Sequence, residues 1–184
     1  MLKIGLCGAH GTGKTTLLQE LKKYLEVPEL SRTMRDMWGQ FGIADFEKLP
    51  ADVRSTFQRY AILRQIERED AATEGFITDR TVIDNLGYTK LSTDMTESEL
   101  GLYEALVKER VSHYTHFVYL PIEFDAENEF LRADVSTRHQ FAEIAEGYLS
   151  QWLKPHQYLI ARGSLEERVK QVLEYLGKAT TPIN

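Results

Sequence analysis

Residues 8–15 read Gly-Ala-His-Gly-Thr-Gly-Lys-Thr, and no other stretch constrains the fold of this chain so tightly. Glycines at 8, 11 and 13 let the backbone turn sharply and aim successive N–H groups at one point. Lys14 and Thr15 then complete the Gly-x4-Gly-Lys-Ser/Thr pattern in full. Such a loop needs an apolar strand before it and a helix after it. Leu2 to Cys7 is the short apolar run, and Leu17, Leu18, Leu21, Tyr24 and Leu25 recur at helical spacing. The chemistry follows from this geometry. Inward amides and the positive end of the helix hold the phosphates of ATP, Lys14 sets a cation on the β and γ phosphates, and Thr15 offers a hydroxyl to Mg2+. The expected nucleotide-binding residues are therefore Gly8, His10, Gly11, Thr12, Gly13, Lys14, Thr15 and Thr16, with His10 tuning the loop rather than catalysing. The dinucleotide-binding fingerprint has a different glycine spacing and no use for Lys14.

The rest of the chain alternates short strands with amphipathic helices. Val27 to Leu30 reads as a second strand, and roughly Ala51 to Ala72 as a long helix with Phe57, Ala61, Ile62 and Ile66 on its apolar stripe. Phe76 to Asp79 is a strand, and Thr81 to Leu91 a helix. Thr96 with Glu99, and Ser164 with Glu167, form capping boxes at two further helix starts. Thr115 to Leu120 is a strand stopped by Pro121, and Gln157 to Ala161 is the last. Phe141, Ile144, Ala145, Tyr148, Leu149 and Trp152 stripe one more helix. The order implies an α/β, three-layer fold in one domain over residues 1–184. It has a central parallel sheet of about five strands, helices on both faces, and a lid over about 122–138. Ligands of such sheets sit at the carboxyl ends of the strands, where Gly8, Glu29, Asp79 and Pro121 fall.

Asp79 ends one of those strands and Arg80 follows directly. Their side chains leave the strand end in different directions. Asp79 suits a magnesium hydration shell, and the planar fork of Arg80 suits an anionic or transferring phosphate. Asp79-Arg80-Thr81 with Tyr88 downstream resembles the pattern of thymidylate kinases. It is more similar to the P-loop domain shared with ribosylnicotinamide kinases, whose Glu-x-Ser/Ala-Arg element Glu29-Leu30-Ser31-Arg32 resembles. The run from Gly163 to Val169 resembles that group's C-terminal adenine-side loop and helix. Thr81 stands where thymidylate kinases carry an aromatic residue, and their Arg-Glu-Pro element is absent. The resemblance implies a kinase acting on a small nucleoside or nucleotide. In deoxynucleoside kinases a glutamate at this strand end takes the acceptor's proton, so Glu29 resembles a general base, or orients a sugar where the acceptor already carries phosphate. It also implies Arg32 and Arg80 as acceptor contacts, Arg132 and Arg138 as lid arginines, and Arg162 against the adenine.

Composition narrows the partners. With 28 acidic and 22 basic residues the net charge is -6, which repels long polyanions and makes nucleic acid a poor partner. The single cysteine, Cys7, permits no intrachain disulfide and fits a cytoplasmic setting. No apolar stretch approaches membrane-spanning length, and Met1 to Cys7 lacks a signal-peptide pattern. ATP is expected over GTP because no guanine-reading Asn-Lys-x-Asp element is present. A regulatory P-loop ATPase and a kinase of nucleosides within DNA or RNA are the alternatives. The acceptor base and sugar, and whether the chain forms a homodimer, stay open at this level.

Overall fold

The computed structural model describes residues 1–30, 33–44, 46–124 and 135–182. Five strands form one sheet in the order β2-β3-β1-β4-β5, and every neighbouring pair is parallel. They are β1 (Lys3–Cys7), β2 (Glu29–Leu30), β3 (Phe76–Asp79), β4 (His116–Tyr119) and β5 (Tyr158–Ile160). The helices are α1 (Lys14–Leu21), α2 (Thr33–Gln40), α3 (Ala51–Ala71), α4 (Val82–Ser92), α5 (Glu97–Val111), α6 (Val135–Trp152) and α7 (Leu165–Tyr175). The order and type of elements agree with the sequence expectation.

Strand side chains alternate faces, and the buried residues sort by that period of two. Ile4, Leu6, Ile77 and Val118 pack with Leu17, Leu18 and Leu21 of α1 and Val169, Val172 and Leu173 of α7. Cys7, Phe76, Phe117 and Tyr119 point the other way, into a core built with α3, α4, α5 and α6. Both faces are covered, as parallel strands require.

Helix starts carry specific signals. Thr96 and Glu99 cap α5, and Ser164 and Glu167 cap α7, as reciprocal boxes. A third box, Thr81 with Asp84, starts α4. A cap of this kind is worth about 0.5–2 kcal/mol. α1 differs: its N-cap is Gly13, and no side chain caps its amides. Among the described residues, no helix is long and apolar enough to cross a membrane.

Candidate functional site

β1 is the middle strand, and its carboxyl end runs straight into the glycine loop. Gly8 has φ 144°, and a Cβ there would sit 2.5 Å from the carbonyl oxygen of Leu120. Only glycine lets the loop leave the sheet this close to the end of β4. The Gly8 N–H donates to Asp84 Oδ1 at 3.1 Å. The other oxygen of Asp84 accepts from the N–H and hydroxyl of Thr81, at 2.8 and 2.7 Å. A fully buried carboxylate thus joins the start of the loop to the start of α4.

Lys14 is 5% exposed, and its Nζ donates to the carbonyls of Gly8 and Ala9 at 2.8 and 2.6 Å. Burial, and then the charge of Arg80, pull its pKa down to about 8, while Asp79 and Asp84 oppose the shift. Thr12 is buried and closes the loop through its hydroxyl on Ala9 O at 2.9 Å. Thr15 donates its hydroxyl to Asp79 Oδ2. Parallel register sets Asp79 beside Leu6, one residue short of the end of β1, which is how the two oxygens meet. Thr16 follows, exposed, in the first turn of α1.

Arg80 has φ 118°, the one positive φ outside glycine among the described residues. A bulky residue held there stores strain, which neighbouring contacts must overcome. Its N–H donates to Leu6 O at 3.1 Å, and its carbonyl accepts from Thr78 Oγ1 at 3.1 Å and Gln65 Nε2 at 3.3 Å. Its guanidinium lies 4.7 Å from the Tyr88 ring centroid and 3.9 Å from Asp84. The Tyr88 hydroxyl accepts from His10 N–H at 3.2 Å and lies 3.0 Å from His10 Nδ1.

The structure therefore brings together Gly8, His10, Thr12, Lys14, Thr15, Asp79 and Arg80. It treats the remaining expected residues differently. Glu29 opposes Ile77 on the edge strand, and its carboxylate is bonded by Lys22 at 2.7 Å and approached by Gln19 at 3.3 Å. Among the described contacts none joins it to Lys14, Thr15, Asp79 or Arg80. Arg162 is exposed, with Nη1 3.5 Å from Glu123 Oε1 and its N–H donated to Gln171. Arg138 is buried, and its Nη2 donates to Phe124 O at 3.4 Å, so the two flanks of residues 125–134 meet. Arg32 and Arg132 lie outside the described residues.

Three further residues join the site through contacts that only the structure gives. Asp84 is one. Tyr88 is the second. The third is Arg168, 3% exposed, which donates to Thr12 O at 2.6 Å and to Glu123 Oε2 at 2.7 Å while lying 5.0 Å from the Phe124 ring. Asp84 had a local signal, the Thr-x-x-Asp spacing from Thr81. Arg168 lay within the Gly163–Val169 run, but its contacts had no local signal, because its partners are 156 and 45 residues away.

Comparison with known proteins bears on the family and the fold. A family model described as an AAA domain matches residues 3–168. No curated protein matches the sequence. Among solved structures, a NadR protein in complex with NAD and AMP-PNP superposes with TM-score 0.68 at 21% identity. That match covers 100% of this chain and 51% of NadR, so the chain spans about half of that protein's length. A deoxyadenosine kinase from M. mycoides, with products dCMP and dCDP, gives 0.69 at 15% identity, covering 96% of this chain and 99% of the other. A thymidylate kinase from Ehrlichia chaffeensis gives 0.64 at 13%, covering 95% and 98%. At these identities the likeness is one of fold, and the fold is that of P-loop nucleoside and nucleotide kinases.

Proposed function

The chain belongs to this AAA-domain family, and from that premise we propose that it is an ATP- and Mg2+-dependent kinase of a small nucleoside or nucleotide. A (deoxy)nucleoside monophosphate is the leading acceptor. The observation that carries the reading is the meeting of Thr15 and Asp79 at the mouth of a glycine loop whose helix has no side-chain cap. The uncapped amides of α1 suit an anion. Mg2+ takes oxygen ligands and needs only one or two from the protein when a nucleotide supplies others. A hydroxyl and a carboxylate side by side fit it, and Thr15 and Asp79 would hold it. When bound, it would supply charge neutralisation for the nucleotide's phosphates.

The chain's own residues do the rest. The loop amides other than those of Gly8 and His10, which Asp84 and Tyr88 hold, orient the triphosphate, and Lys14 exchanges its bonds to Gly8 and Ala9 for phosphate oxygens. Arg80, fixed at its backbone on both sides, directs its guanidinium toward the transferring group or an acceptor phosphate. Arg132 and Arg138 serve as the arginines of a lid that excludes water, and Arg162 faces the base. The acceptor oxygen attacks the γ-phosphorus, the bond to the β-phosphate oxygen breaks, and ADP leaves. An acceptor that already carries phosphate needs no base, because an anionic phosphate oxygen is itself the nucleophile. Glu29 and Arg32 then position the acceptor sugar or phosphate. The solved neighbours that are named as kinases, and the one complexed with AMP-PNP, support the reaction class.

An acceptor screen reading ADP formation tests this. Nucleoside monophosphates should raise turnover at least tenfold over the background without acceptor. Stimulation by nucleosides alone would restore Glu29 as base. Stimulation by polynucleotide alone, or by nothing despite ATP binding, would overturn the small-acceptor reading in favour of an end-directed kinase or a regulatory ATPase.

A further inference from the structure

Tyr88 touches three separate parts of the site, and the reaction outlined above gives it no role. It lies in α4. Its hydroxyl accepts from the N–H of His10 at 3.2 Å and lies 3.0 Å from His10 Nδ1. A phenol offers one proton and two lone pairs, so it can accept from the N–H and donate to the ring nitrogen of the same residue. That pairing holds both the backbone and the ring of the residue at the centre of the phosphate loop.

The ring of Tyr88 is held as closely as its hydroxyl. Phe141 of α6 stacks on it at 4.4 Å with an interplanar angle of 23°, and the Arg80 guanidinium stands 4.7 Å from its centroid. The depth of Phe141 is set by its neighbour on α4. A Cβ on Gly87 would lie 2.7 Å from Phe141 Cε2, so only glycine admits the ring this close. Phe141 also sits one helical turn after Arg138. One side chain therefore connects the loop, the strained Arg80 and the helix that follows residues 125–134.

We infer that Tyr88 is a positioning residue with two separable actions: its hydroxyl sets the phosphate loop at His10, and its ring aims Arg80. The inference rests on the kinase reading for the purpose of Arg80, but neither action depends on which acceptor is used. A cation beside an aromatic face is held by the ring quadrupole, and phenylalanine keeps that face. Removing the hydroxyl takes away the bond that Tyr88 makes to the loop at His10. The two actions thus respond differently to two substitutions.

The test compares Tyr88→Phe and Tyr88→Leu. The dissociation constant of Mg2+-ATP is read by calorimetry, and the Arg80 Nε–H resonance by NMR, assigned through its loss in Arg80→Ala. Tyr88→Phe should weaken nucleotide binding about five- to tenfold, the size of one lost hydrogen bond, and keep the upfield ring-current position of the Arg80 signal. Tyr88→Leu should weaken binding to the same extent and also move that signal downfield. With an accepted substrate, Tyr88→Phe should act mainly on KM for ATP. Tyr88→Leu should in addition lower kcat about tenfold, a loss absent in the Arg80→Ala background. Thermal unfolding of each variant controls for collapse of the site. Equal binding by wild type and Tyr88→Phe overturns the first action. An Arg80 signal indifferent to the loss of the ring overturns the second. Failure to turn over any acceptor would leave both readouts intact and count only against the kinase reading.

Discussion

Two carboxylates flank the same sheet end and have opposite surroundings. Asp84, near its centre, is fully buried and holds three polar hydrogens, from Gly8 and twice from Thr81. Glu29, on the edge strand, is partly exposed and holds Gln19 of α1 and Lys22 at its C-cap. In the first case the bond from Gly8 ties the loop to α4 across 76 residues and the two from Thr81 close the start of that helix, so loss of the carboxylate strands buried donors. In the second, water can replace every partner, and such a pair is worth about 0–1 kcal/mol. The contrast teaches that the half of the site facing the donor phosphates is held by the protein's own buried hydrogen bonds. The half toward β2 carries no comparable buried network among the described residues.

The largest effect expected from this difference is on stability. Asp84→Ala leaves the Gly8 and Thr81 donors unpaired in the core and should cost about 3 kcal/mol or more, read from urea unfolding, with loss of nucleotide binding. A cost near that of a surface substitution would erase the contrast. Next comes pH. The Lys14 pKa of about 8 belongs to the protein without nucleotide. Phosphate oxygens favour the charged amine and so raise it. Below pH 8 the amine is charged in both states and affinity is flat. Above pH 8 binding must take up a proton, so affinity should fall, by up to about tenfold per unit. Calorimetry at pH 8.5 in buffers of different ionisation heat should show that uptake, and proton release would reverse the sign. The smallest effect is expected at the edge. Glu29→Gln should change kcat less than about threefold and stability by under about 1 kcal/mol. A hundredfold fall in kcat with normal ATP affinity would make Glu29 the general base and break the comparison.

Much of the donor half was legible in the sequence because its determinants are local. Gly8 to Thr15 is one continuous loop, and the capping boxes at Thr96 and Ser164 span four residues each. The continuous apolar run from Leu2 to Cys7 told which strand was buried on both faces. What escaped was the cross-bracing. Asp84 meets Gly8 across 76 residues, Tyr88 meets His10 across 78, and Arg168 meets Thr12 across 156. No periodicity encodes such pairs, because only the parallel register of β1 and β3 and the packing of α4 and α7 bring them together. The positive φ of Arg80 was hidden for a related reason. Nothing in its neighbours' propensities asks for it, and the bonds to Leu6, Thr78 and Gln65 impose it. Glu29 shows the converse, a residue whose sequence neighbourhood resembled a catalytic element and whose carboxylate is engaged by α1.

The central claim is that Thr15 and Asp79 make this loop a site for a metal-bound nucleotide. Calorimetric titration of ATP with and without Mg2+, in wild type and Asp79→Asn, tests it most directly. Magnesium should tighten binding to the wild type at least tenfold, and most of that gain should vanish in Asp79→Asn. Equal affinity with and without magnesium in the wild type, or an undiminished magnesium effect in the variant, would contradict the account.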